Sequence, residues 1–240
     1  MRLKKIISIL ILTLFTTLVS AAEGPLFYGQ SYGFVVSDPA AMLMAMDEYR
    51  ASETGEKTPN TVVLSQNIVN GDYASTHQVN VFYPSTAAMD QSLALNMAST
   101  DWATFLGKLR NASVSEWENM YAIMRAKVQK DPATMQNPIS LIYTMTVKNP
   151  ADFMPAFDKL WNSEEMGEFQ GNIYLGRNLA SGNVKGTHFV SFVAENNSAL
   201  IDGITAMQTS DAMKSYVNAV SEARIIEATN VSIELKRWSR

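Results

Sequence analysis

His77 and His188 are the two histidines of a 240-residue chain, and each follows a threonine a few residues beyond a glycine, Gly71 or Gly182. Their surroundings match: Asn67 to His77 reads Asn-Ile-Val-Asn-Gly-Asp-Tyr-Ala-Ser-Thr-His, and Asn178 to His188 reads Asn-Leu-Ala-Ser-Gly-Asn-Val-Lys-Gly-Thr-His. An imidazole titrates near neutral pH and binds metals when neutral, so the pair could carry protons or ligate. The alternative is structural: each Thr-His opens a strand, and its ring nitrogens bond the backbone of the preceding turn. The amides of Asn67 and Asn178 could reach a ligand or brace the same turns. Tyr32 and Tyr143 also share a position, with Phe34 and Met145 two residues on, and could line a cavity for an apolar or aromatic molecule. No His-x-x-His, cysteine or acidic pair adjoins either histidine, so no metal site is expected. A Gly-rich phosphate loop, a Gly-x-Ser-x-Gly elbow and a cysteine nucleophile are missing too, and no cofactor is called for.

The elements that must position these residues occur twice. A strand over 27–36 ends at Asp38-Pro39, where Asp38 can cap a helix and Pro39 suits its first turn. Met42, Met46 and Tyr49 give that helix its apolar stripe. Strands over 61–69 and 75–83 flank the Asn70-Gly71 turn as a hairpin. A helix with Met89, Leu93 and Met97 on one face follows, then a helical piece with Trp102, Phe105, Leu106 and Leu109, then a strand over 118–126. Residues 111 apart repeat this order: Asp38-Pro39 with Asn149-Pro150, Asp47 with Asp158, Gly71 with Gly182, and Phe153, Phe157 and Leu160 as the equivalent stripe. The pattern predicts α+β architecture with two tandem ferredoxin-like βαββαβ repeats, over 22–126 and 139–240, joined by a linker over 127–138.

Residues 1–21 read as a signal peptide: Arg2, Lys4 and Lys5, an apolar run, then Val19-Ser20-Ala21 for cleavage. This predicts an exported protein, periplasmic or extracellular, with no stable membrane insertion after cleavage. With no cysteine there is no disulfide framework, so an apolar core must hold the fold. The formal net charge of −4 falls to about −7 when the leader is removed, which argues against nucleic acid as a partner.

A four-stranded sheet with both helices on one face must bury its other face, and two copies in one chain can pack those faces together. On that element order and duplication the chain resembles the dimeric α+β barrel superfamily, as a fused tandem pair similar to antibiotic-biosynthesis-monooxygenase-like domains. The resemblance implies an intramolecular barrel and covers nearly all the mature chain. Three functions follow as expectations. The first is binding of a small apolar or aromatic ligand between the sheets. The second is a monooxygenase-like or haem-dependent enzyme using His77 or His188, and the third a protein-interaction module. Oligomeric state is left open.

Overall fold

The computed structural model describes residues 24–240; the expected signal peptide lies outside them. The first half runs β1 (Phe27–Val36), α1 (Pro39–Arg50), α2 (Glu53–Lys57), β2 (Thr61–Val69), β3 (His77–Tyr83), α3 (Thr86–Met97), α4 (Thr100–Ala112) and β4 (Ser113–Val128). The second runs β5 (Ile139–Val147), α5 (Pro150–Trp161), α6 (Glu164–Glu168), β6 (Gly171–Ala180), β7 (His188–Ala194), α7 (Asn197–Thr209), α8 (Asp211–Val220) and β8 (Arg224–Trp238). Asp38 and Asn149 cap α1 and α5 by accepting from Ala41 N and Ala151 N, with proline in each first turn. Serine or asparagine caps the remaining helices in the same way, from Ser52 to Ser210.

All eight strands close into one antiparallel barrel in the order β1-β3-β2-β8-β5-β7-β6-β4. The intramolecular barrel expected from the sequence is formed, and its two halves join edge to edge along two seams. β2 pairs with β8 from Val62↔Trp238 to Val69↔Val231, and β4 with β6 from Met120↔Ala180 to Val128↔Asn172. Closure removes every free sheet edge. Because all pairs are antiparallel, β1, β2, β5 and β6 run one way and the others run back. Both hairpins, β2–β3 and β6–β7, therefore sit at the same end of the barrel.

The apolar core lies outside the barrel, between strands and helices. In the first half Met42, Met46 and Leu109 pack on Phe34, Leu64 and Val79. In the second, Phe153, Phe157, Leu160, Leu200 and Met207 pack on Met145, Ile173, Leu175 and Val190. The stripe expected on α3 is not buried: Leu93 is 60% and Met97 80% exposed, and the helix packs instead through Ala88 and Ser92. Two reciprocal clamps tie the halves. Asp47 of α1 pairs with Lys236 of β8 at 2.6 Å, and Asp158 of α5 pairs with Arg125 of β4.

Candidate functional site

Strand alternation sends one set of side chains to the helices and the other into the barrel. The inner set encloses a cavity of about 550 Å³, within the usual range for small-molecule sites, roughly 300–1,000 Å³. Its wall carries the rings of Phe27, Phe82, Trp117, Tyr121, Tyr174 and Phe189 between neutral polar groups such as Ser31, Gln78, Asn80, Asn119, Ser191 and Ser232.

Three hydrogen bonds cross between the halves within this lining. Gln78 Nε2 donates to Ser232 Oγ at 3.0 Å, Asn119 Nδ2 to Asn178 Oδ1 at 3.3 Å, and Asn230 Nδ2 to Asn70 Oδ1 at 3.0 Å. The last two are anchored alike, since Asn178 Nδ2 donates to Gly186 O and Asn70 Nδ2 to Ser75 O. These anchors fix which way each amide points, and Asn119 Oδ1 is left buried without a partner.

Trp117 is held by donating Nε1–H to Ser75 Oγ at 2.8 Å, and its ring lies 5.9 Å from Tyr73. Tyr121, 4% exposed, meets Phe189 edge-on at 5.1 Å. Burial pushes the Tyr121 hydroxyl far above the usual tyrosine range, and a hydrogen bond with Ser31 offsets only part of that. It stays a neutral phenol at physiological pH. Charged lining residues lie toward the two ends: Asp72, Lys185 and Glu227 by the hairpins, and Glu234 with Arg237 at the other, paired at 2.6 Å. At that second end Phe27 packs edge-on against Phe82 and Tyr174. The middle of the cavity is thus uncharged, a setting that favours neutral ligands with a few hydrogen-bonding groups.

Only Asn178 of the residues singled out in the sequence borders this cavity. Tyr32 and Tyr143, expected to line it, point the other way and pack against the helix-side cores. Their strands send Ser31 and Ile142 inward instead. His77 and His188 also face the helices. His77 is buried, and the His188 ring lies 6.1 Å from Phe153. Each bonds its own threonine, Nδ1 to Oγ1, at 2.9 Å, and each threonine Oγ1 accepts from the backbone of Val36 or Val147. Burial lowers both histidine pKa values, and Arg177 adds to the effect at His188. Asn67 braces its hairpin by donating to Ser75 O at 2.9 Å. The two histidines, on β3 and β7, stand on opposite sides of the barrel and are not brought together.

A haem does not fit these residues. Neither histidine borders the cavity, and the space beside His188 is filled by Phe153 and its neighbours. Tyr121 and Tyr174 of the lining are both held as neutral phenols by burial, whereas a haem-ligating tyrosine must be a phenolate. Among the described residues no group of three or more His, Cys, Asp or Glu is placed to hold a metal ion.

The sequence missed Trp117, Tyr121 and Phe189. Starting the fourth strand at 118 rather than at Ser113 excluded Trp117 from it. The usable signal was the alternation Gly29-x-Ser31-x-Gly33, small residues on one face of a strand whose other face is aromatic.

The chain is thus a closed antiparallel α+β barrel with its helices outside. No protein-family model matches the chain, nor does any curated protein sequence. Solved structures do. A proposed monooxygenase of Fusobacterium nucleatum superposes with a TM-score of 0.59 at 13% identity, over 90% of this chain and 94% of its own. An anthrone oxidase-like protein gives 0.57 at 12%, over 91% and 94%. A haem-binding protein of Thermus thermophilus gives 0.51 at 9%, over 89% and 92%. At these identities the likeness is one of fold.

Proposed function

We propose that the chain is an exported pair of fused ferredoxin-like units whose common barrel binds a small, mainly apolar or aromatic molecule. The observation that carries this reading is the cavity itself, about 550 Å³ enclosed by aromatic rings and neutral amides and hydroxyls. A barrel interior with no use would be filled by side chains, as small barrels commonly are. Export rests on the basic start and apolar run of residues 1–21. The repeat reading is supported by equivalent hydrogen bonds 111 residues apart: Asn67 N to Thr76 O and Asn178 N to Thr187 O, both 2.8 Å. The test is native mass spectrometry of the mature protein purified from its own exported compartment. A bound small molecule that is retained after desalting is expected; an empty protein from a ligand-replete source would overturn the reading.

A second reading, oxygenation of the bound molecule, is favoured by the fold's likeness to a proposed monooxygenase and an anthrone oxidase-like protein. In that case Tyr121 would donate a hydrogen bond to the substrate and would not act as its base, because burial holds its proton in place. Oxygen uptake on adding 1-naphthol separates the two readings: consumption of one O2 per naphthol with 1,4-naphthoquinone and water as products, the naphthol itself being the reductant, supports the enzyme, and none supports simple binding.

A further inference from the structure

The strand frame repeats, but the cavity does not. At positions 111 apart, Trp117 and Tyr121 of β4 become Ala228 and Ser232 of β8. Gly33 and Gly29 of β1 become Thr144 and Ser140 of β5, and the pair Phe189 with Gly176 answers to Gln78 with Ser65. Each large ring on one side is matched with a glycine on the neighbouring strand, and where the ring is lost the glycine is lost too.

The pairing is steric. A Cβ added to Gly33 would lie 2.1 Å from Trp117 Nε1, one at Gly29 2.2 Å from Tyr121 Cζ, and one at Gly176 2.1 Å from Phe189 Cζ. The three rings therefore lie down on the backbone of the next strand and do not stand into the cavity. In the barrel order β7, β6, β4 and β1 are consecutive, so these rings form one wall, and β2, β8 and β5 lie across from it. The opposite wall presents Ser65, Ser232, Ser140 and Thr144.

We propose that Gly29, Gly33 and Gly176 are specificity-determining residues. They leave each ring room to lie against its neighbouring strand, Tyr121 and Phe189 at right angles to one another, so that the cavity selects a planar aromatic molecule that stacks its face on one ring and turns an edge carrying oxygen or nitrogen groups to the hydroxyls across from it. This rests on the reading of the cavity as a ligand site. An alanine at any of the three lifts its partner ring into the space the planar ligand would occupy.

Calorimetric titration with two probes of similar size, flat 2-naphthol and puckered decahydro-2-naphthol, tests it. The protein variants are wild type, Gly33→Ala, Gly176→Ala and, as a neutral control, Gly107→Ala, which meets nothing within 4 Å. The wild type and control are expected to prefer 2-naphthol by about tenfold, the scale of one lost stacking contact, and both cavity variants to lose that preference. Should Gly33→Ala fail to fold, Trp117→Leu removes the ring without crowding the strand and is expected to erase the same preference. Equal binding of the two probes by wild type, or unchanged selectivity in the variants, overturns the role of the glycines and leaves the binding reading standing. Absence of binding by either probe in every protein, including one purified empty by native mass spectrometry, overturns both.

Discussion

The two helix layers cover the same strand frame with opposite chemistry. In the first half a buried guanidinium, Arg50, donates to Thr58 Oγ1 at 3.0 Å, to Asn60 Oδ1 at 2.7 Å and to Asn60 O at 3.1 Å. Asn60 in turn donates to buried Ser92 at 3.2 Å. In the second half the positions 111 later hold Trp161, Phe169, Gly171 and Gly203. There the Phe169 ring fills the space: a Cβ at Gly203 would meet it at 2.7 Å, and one at Gly171 at 2.8 Å. The Arg50 Nε is buried unpaired, and burial draws the guanidinium pKa down to about 10. One frame thus accepts a polar network or an apolar plug. Geometry is set by the strands, and the side chains fill the same volume either with groups that are paired but for Arg50 Nε or with no polar group at all.

If the comparison is right, the apolar plug is where stability is concentrated. Phe169→Ala leaves a cavity between α7 and the sheet and is expected to cost about 3–5 kcal/mol, read by denaturant unfolding. A loss below about 1 kcal/mol would show that the layer collapses to fill the gap and that the two halves are not so different.

The polar network should behave differently when broken on one side or on both. Arg50→Met strands Asn60 Oδ1 and is expected to cost about 1–3 kcal/mol. Adding Asn60→Leu removes that amide oxygen but takes the donor from buried Ser92, and the double variant is expected to regain about half of the loss. A double variant as damaged as the single one would mean that the network does more than satisfy itself.

A pH series sharpens the contrast at the histidines. Both have folded-state pKa values below the ordinary 6.5, so below that pH the unfolded chain binds more protons and stability falls as pH drops. Above about pH 7 that penalty is absent. Since His188 also faces Arg177, His188→Gln is expected to flatten the acid loss in melting temperature more than His77→Gln does. An equal effect would leave burial as the only cause.

The smallest effect is expected on α3. Leu93→Gln with Met97→Gln changes two exposed side chains and should shift stability by no more than about 0.5 kcal/mol. Ile204→Gln on α7, a buried position, provides the contrast in the same assay.

Much of the frame was legible. β1 and β2 fall where alternation and turn signals put them, and the Asp38-Pro39 and Asn149-Pro150 starts are the helix caps they resemble. The site was not, because apolar faces were assumed to point to the centre. In this barrel the centre mixes aromatic rings with neutral amides and hydroxyls, and Tyr32 and Phe34 are apolar because they meet helices. For the same reason the Met89, Leu93 and Met97 stripe misled: spacing identifies a face, but Ser92 is the residue that Asn60 requires α3 to bury. The fate of His77 and His188 depended on strand parity, which the Thr-His motif alone does not specify.

The reciprocal clamps, Asp47 to Lys236 and Asp158 to Arg125, carry one further consequence. They join equivalent positions 111 residues apart, and both are made within one chain. In a dimer of identical subunits every substitution appears twice, so a tryptophan gained on one wall would be gained on the wall facing it and the two would compete for the same space. Joining the halves through residues 129–138 makes each substitution single. A mutation could then place Trp117 beside Gly33 while its opposite number stayed Ala228, and the space between the walls survived.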